Sequence, residues 1–174
     1  MGKIGKIGKV KLFCGIIFSD NFYLEKAKRL LIRNFGIIDF ESQILPFNYT
    51  RYYEAEMGGG LKRFFVSFKK LIHPKKLAFI KRRTNLIEQK LSVGGRRSVN
   101  LDPGYLDKAK VVLASTKDYC HRIYIGKGIF AEVTLRYVHK SFQPWDWTYP
   151  DYKSKEYLSI FSDIRALYVK QLNS

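Results

Sequence analysis

The chain has 174 residues, 46% of them hydrophobic and 16% aromatic, and its 32 Lys and Arg against 15 Asp and Glu give a net charge of +17. That composition excludes a disordered chain and is ample for one domain with a real core. Two cysteines without metal-ligand or disulfide-scaffold spacing exclude a zinc ribbon or a stapled secreted fold and fit a reducing cytoplasm.

Residues 1–10 carry a Gly-Lys-Ile repeat and read as a flexible basic lead, ahead of a single domain over 11–174. The apolar run from Val10 to Phe18 is too short to span a bilayer and contains Lys11, so it predicts a first strand and no membrane partner. Ser19-Asp20-Asn21 supplies caps for a helix from about Phe22 to Asn34, which Gly36 stops. Extended character resumes from Ile37 to Pro46. The aromatic loop Phe47 to Met57, followed by Gly58 to Gly60, either moves over a site or caps the sheet edge.

Phe64 to Phe68 reads as the next strand. Pro74 opens a helix to about Leu91, with Leu77, Ile80, Thr84, Ile87 and Leu91 on one stripe and the lysines and arginines mostly off it. Arg97 to Asp102 is a further strand. The order β-α-β-β-α-β predicts an α+β fold with a ferredoxin-like core, two helices on one sheet face and the other face available.

Asp102-Pro103-Gly104 then predicts a short helix through Leu106, Ala109 and Leu113, with Asp102 as its N-cap. A β-hairpin follows around Gly126-Lys127-Gly128. A three-residue loop pairs Ile125 with Ile129, keeps Ile123, Val133 and Leu135 on one apolar face, and sets Arg122 opposite Glu132. Alternation sends Glu132, Thr134 and Arg136 to one face and Val133, Leu135 and Tyr137 to the other. The proline-interrupted aromatic segment Phe142 to Tyr152 seals the open sheet face or stacks on a planar ligand. Ser154 caps a C-terminal helix with Tyr157, Phe161, Ile164 and Tyr168 on its docking stripe.

Five separated stretches carry a resemblance: Tyr52-Tyr53-Glu54-Ala55-Glu56-Met57-Gly58, Gly95 to Leu106, Leu113-Ala114-Ser115-Thr116-Lys117-Asp118, His121-Arg122-Ile123-Tyr124, and Trp147-Thr148-Tyr149-Pro150-Asp151-Tyr152. Together the chain resembles the domain-of-unknown-function family numbered 4416, over nearly everything from Val10 to Leu172. The resemblance implies a small prokaryotic protein and brings no activity, ligand or catalytic residue with it.

Several chemistries are set aside by spacing. There is no Gly-x-x-x-x-Gly-Lys-Ser/Thr phosphate loop, and Thr116-Lys117-Asp118 is one residue short of the guanine-reading Asn-Lys-x-Asp motif. His73, His121 and His139 do not make the paired His-x-Thr/Ser repeats of two-histidine phosphoesterases. His121, Asp102 and Glu132 lack metal-ligand spacing, so neither a metal nor a cofactor is expected. Charge remains as the lead: residues 57–100 hold twelve Lys or Arg and one acid, Glu88, which is +11 of the +17. Such a field attracts polyanions, although lysine-rich genomes and thermophiles yield the same balance with no nucleic-acid role.

Three classes of function follow. The first is binding of a phosphate-bearing ligand, RNA or a nucleotide, with Lys75, Lys76, Lys81, Arg82 and Arg83 gripping phosphates and aromatics stacking on bases. A pocket on the polar sheet face would hold the ligand through Glu56, Arg97, Asn100, Lys117, Arg122, Thr134, Arg136, Trp147 and Tyr149. The second is an enzyme acting in that pocket on a small phosphorylated or carboxylated substrate, with Glu132, His121 or Asp102 moving protons. The third is an interaction subunit without a ligand.

Overall fold

In the computed structural model, residues 2–173 are described, and they form one nine-stranded antiparallel sheet with four α-helices. Strand β1 (Lys11–Phe18) is buried along its whole length, as its apolar run requires, because both of its faces are covered. Helix α1 (Asn21–Phe35) starts where the Asp20 carboxylate accepts from Phe22 N at 2.8 Å. The short strands β2 (Ile38–Glu41) and β3 (Leu45–Pro46) lead through the one-turn helix α2 (Glu54–Met57) into β4 (Lys62–Phe68). A 3₁₀ turn at Pro74 feeds α3 (Leu77–Leu91), and β5 (Val99–Leu106) follows. Next come β6 (Lys110–Ser115), β7 (Ile123–Gly126), β8 (Ile129–Val138), β9 (Ser141–Pro144) and α4 (Lys155–Leu172), which Ser154 caps at Tyr157 N.

The strands lie in the order β2-β4-β1-β5-β6-β8-β7, with β3 on β4 and β9 on β8. Helices α1 and α3 pack Leu24, Ala27, Leu31, Ile80, Ile87 and Leu91 on Leu12, Cys14, Ile16 and Phe18 of one sheet face. On the opposite face α4 presses Tyr157, Phe161, Ile164 and Tyr168 against Phe13, Phe65, Val111 and Leu135. The second face is therefore largely covered rather than open. Each Leu, Ile, Val or Phe side chain so buried contributes roughly 1.5–3 kcal/mol relative to exposure. Among the described residues no helix is long and apolar enough to cross a membrane.

Three expectations are corrected. The short helix after Asp102 does not exist: β5 runs on through Pro103 and Gly104 to Leu106, and β6 pairs back on it. Asp102 is thus a mid-strand residue and caps nothing. Gly104 is required there by close approach, since a Cβ would meet Phe13 Cζ and the Val112 carbonyl oxygen, both at 2.5 Å. On β8 a bulge falls between the pairs Val111–Leu135 and Val112–Val133 and leaves Thr134 unpaired. Simple alternation ends at that point, so Leu135 and Tyr137 join the α4 face while Val133 faces α3. The hairpin closes on a two-residue turn, Lys127 (φ 60) and Gly128 (φ 73), pairing Gly126 with Ile129. A compensating bulge at Ile125 restores the expected pairing of Tyr124 with Phe130 and Ile123 with Ala131, although Ile123 itself is exposed.

Candidate cleft where the sheet divides

Strands β5 and β6 hydrogen-bond only over Gly104–Leu106 against Leu113–Val111. Toward Val99 and Ser115 the ladder stops. The backbone groups of Leu101 that would face β6 are met instead by two side chains of α3: Lys81 Nζ donates to Leu101 O at 2.8 Å, and Leu101 N donates to Glu88 Oε1 at 2.6 Å. Left unpaired in the interior, each backbone group would cost about 1–3 kcal/mol. Pro103 lies two residues on and so turns its missing N–H to the same side, where there is no strand to bond. Lys81, Thr84 and Glu88 form one buried polar edge of α3, which corrects the placement of Lys81 on the exposed basic face.

The division leaves a cleft of about 650 Å³. Tyr49, Tyr52 and Tyr53 of the aromatic loop line it together with Lys117, Tyr119 and Arg122 and with Tyr149 to Tyr152. Arg63, Asn100 and Asp102 line its depth.

Three arginines are held by carboxylates around this space. Arg63, 3% exposed, donates from Nη1 to Asp102 Oδ2 at 2.8 Å and from Nη2 to Asp151 Oδ2 at 3.0 Å. Gly15 of β1 makes room for it, since a Cβ there would stand 2.8 Å from Arg63 Nη1. The two carboxyls respond in opposite directions. Burial pushes Asp151 up from its usual value, more than Arg63 draws it down. Burial also acts on Asp102, but there the charges of Arg63 and Lys81 outweigh it and hold the carboxyl below its usual value.

Arg97 grips Glu56 with two nitrogens, Nε at 2.8 Å and Nη2 at 2.6 Å, while its Nη1 donates to Asn100 Oδ1 at 2.9 Å. The hydrogen bonds from Arg97 hold Glu56 below its usual value. Arg122 donates to Glu132 Oε2 (2.8 Å), Ser115 Oγ (2.8 Å), Lys117 O (2.9 Å) and Tyr149 OH (2.6 Å). Glu132 also meets Thr134 Oγ1 at 3.1 Å and His121 Nε2 at 3.1 Å. Lys117 differs from these three arginines: its Nζ sits 4.2 Å over the Tyr52 ring and has no carboxylate partner among the described residues.

The residues singled out in the sequence thus divide. Arg97, Asn100, Asp102, Lys117, Arg122, Glu132 and Tyr149 line the cleft. Glu56, His121 and Thr134 stand behind it, holding Arg97 and Glu132. Arg136 and Trp147 lie outside, correcting their placement in the pocket. Arg136 covers Trp145 at 4.2 Å, and Trp147 is stacked between Trp145 and His121 at 5.0 and 5.7 Å. Lys75, Lys76, Arg82 and Arg83 are exposed, away from the cleft, with Arg83 donating to Asn34. Among the described residues no group of three or more His, Cys, Asp or Glu is placed to hold a metal.

Arg63, Glu88 and Asp151 were missed. A lone arginine beside Phe64 and Phe65 in a strand is a signal for the first, because such a charge needs a buried partner. Asp151 and Glu88 carry no comparable mark, since their partners are 88 and 13 residues away.

The chain matches the family described as Domain of unknown function (DUF4416) over residues 8–168, and it belongs to that family. No curated protein and no solved structure matches it.

Proposed function

We propose that this DUF4416 protein binds a small phosphate-bearing ligand with a planar ring, a nucleotide, in the cleft between β5 and β6. The observation that carries this reading is Lys117, a cation without a carboxylate partner at a cleft wall shared with tyrosine rings. Arg97 and Arg122 flank it with guanidiniums already oriented by Glu56 and Glu132, so little side-chain entropy remains to be lost on binding an anion. Tyr52, Tyr53 and Tyr149 bring to the cleft aromatic rings of the kind on which bases stack, whereas the Tyr119 ring is taken by Arg122 and His121. The volume suits a ligand of that size. A ferredoxin-like ancestry of the core belongs to the same reading: β2-β4-β1-β5 are all antiparallel, and α1 and α3 cover one face. A cytoplasmic setting goes with it, supported by the two free cysteines, Cys14 and Cys120.

Calorimetric titration with nucleoside 5′-monophosphates, the matching nucleosides and inorganic phosphate tests it. Nucleotides bind more tightly than either fragment, and Lys117→Ala weakens them about tenfold, or 1.4 kcal/mol, with an unchanged melting temperature. Equal affinity in wild type and Lys117→Ala would overturn the assignment.

Turnover is the second reading, favoured by the unequal aspartates on Arg63. Asp102, held low, would serve as base, and Asp151, pushed up, as acid. Glu132 accepts from three side chains and is better suited to position Arg122 than to move a proton.

A further inference from the structure

We infer that the depth of the cleft recognises a hydroxyl group, so that the nucleotide it takes presents a free ribose hydroxyl there; the inference rests on the nucleotide reading above. Asn100 and Asp102 are two residues apart on β5 and therefore project from the same face. The Asn100 amide is oriented by Arg97, which donates to its Oδ1 at 2.9 Å and so turns Nδ2 the other way. Nδ2 is buried there and meets no acceptor in hydrogen-bond geometry, on a residue 5% exposed. The amide nevertheless lies close enough to Asp102 to help lower its carboxyl. Asp102 gives only Oδ2 to Arg63 and borders the cleft with its carboxylate. The Tyr152 hydroxyl, on a residue 2% exposed that also lines the cleft, is likewise buried without a partner.

The cleft therefore presents a waiting donor beside an ionised acceptor, with the unpaired Tyr152 hydroxyl also among its lining groups. A phosphate would satisfy Nδ2 and be repelled by Asp102. An ammonium would satisfy Asp102 and leave Nδ2 orphaned. A hydroxyl does both, donating to the carboxylate and accepting from the amide. Phosphate recognition by Lys117 and hydroxyl recognition by the Asn100–Asp102 pair are separate functions, carried on different elements of the cleft. A site whose buried polar groups are completed by a ligand hydroxyl discriminates strongly against the analogue that lacks it, because those groups are then left unpaired.

The test is calorimetric titration of the full chain with adenosine, guanosine, cytidine and uridine 5′-monophosphates and with their 2′-deoxy and 3′-deoxy counterparts. At least one ribonucleotide binds tenfold or more tighter than one of its deoxy counterparts. In Asn100→Leu that ratio falls below about threefold. The wild-type ratio stands by itself should the variant fold poorly, and Asp102→Asn supplies a second variant with the same expected collapse. Equal binding of ribo and deoxy forms overturns the hydroxyl inference and leaves the nucleotide reading intact. Binding of no nucleotide at millimolar concentration overturns both. Discrimination that survives both substitutions places the hydroxyl elsewhere and overturns the assignment to this pair.

Discussion

Arg63 is the side chain on which the cleft depends most. Its guanidinium lies at 3% exposure between Asp102 and Asp151, so Arg63→Met leaves two carboxylates facing a low-dielectric interior. Breaking a buried pair in this way costs about 3–5 kcal/mol; urea denaturation would read it, and a loss under 1 kcal/mol would contradict the account. Glu88 makes a pH prediction. Burial raises its folded pKa above the unfolded value, so its protonated form is favoured in the native state and its contribution is lost as pH rises through that raised value. Glu88→Gln keeps an acceptor for Leu101 N without the charge. The melting temperature of wild type should therefore fall relative to the variant between pH 4 and pH 8, and a gap that widens in favour of wild type would refute the sign. At this scale the sequence showed which residues are polar among apolar neighbours, such as Glu132 and Thr134 on β8. It could not show that Arg63 joins a strand 39 residues away to a 3₁₀ turn 88 residues away, because a strand's period reports a face and not a partner.

Elements with a clear signal were legible: the stripes of α3 and α4, the capped start of α1, the buried run of β1, and the pairing of Arg122 with Glu132 across the hairpin. What failed were the places where regularity is broken on purpose. Pro103-Gly104 resembles a helix start, yet here proline marks a strand edge with no ladder to feed, and glycine a contact with Val112 too close for a side chain. Gly104→Ala accordingly forces β5 and β6 apart at their junction and costs about 1–3 kcal/mol by overpacking, to be read by chemical denaturation; a neutral result would mean that the strands can shift. The bulge at Thr134 was invisible because both registers satisfy the local pattern, and only the demand of α4 for Leu135 decides between them.

Across the whole molecule, charge and cleft are separate. The exposed Lys75 and Lys76 of the 3₁₀ turn and Arg82 and Arg83 of α3 lie outside the cleft, while the basic cleft residues are offset by Glu88, Asp102, Glu132 and Asp151. If the helix grips single-stranded RNA, affinity falls with salt along a log-log slope of about −0.7 per phosphate neutralised. Arg82→Glu with Arg83→Glu flattens that slope without touching mononucleotide affinity. Gel shifts at two salt concentrations decide it, and absence of binding at low salt reduces the helix charge to composition. The divided sheet has a mechanical consequence as well. Two half-sheets, β2-β4-β1-β5 and β6-β8-β7, share only three residue pairs, and α3 and α4 straddle the seam with contacts on both. Such a molecule is built like a book whose spine is two helices: widening the gutter breaks side-chain bonds at Leu101 and no ladder. The Leu101 amide, tied to a carboxylate instead of a strand, then becomes a gauge of that breathing, exchanging its hydrogen faster than the Tyr105 amide where the covers are still stitched.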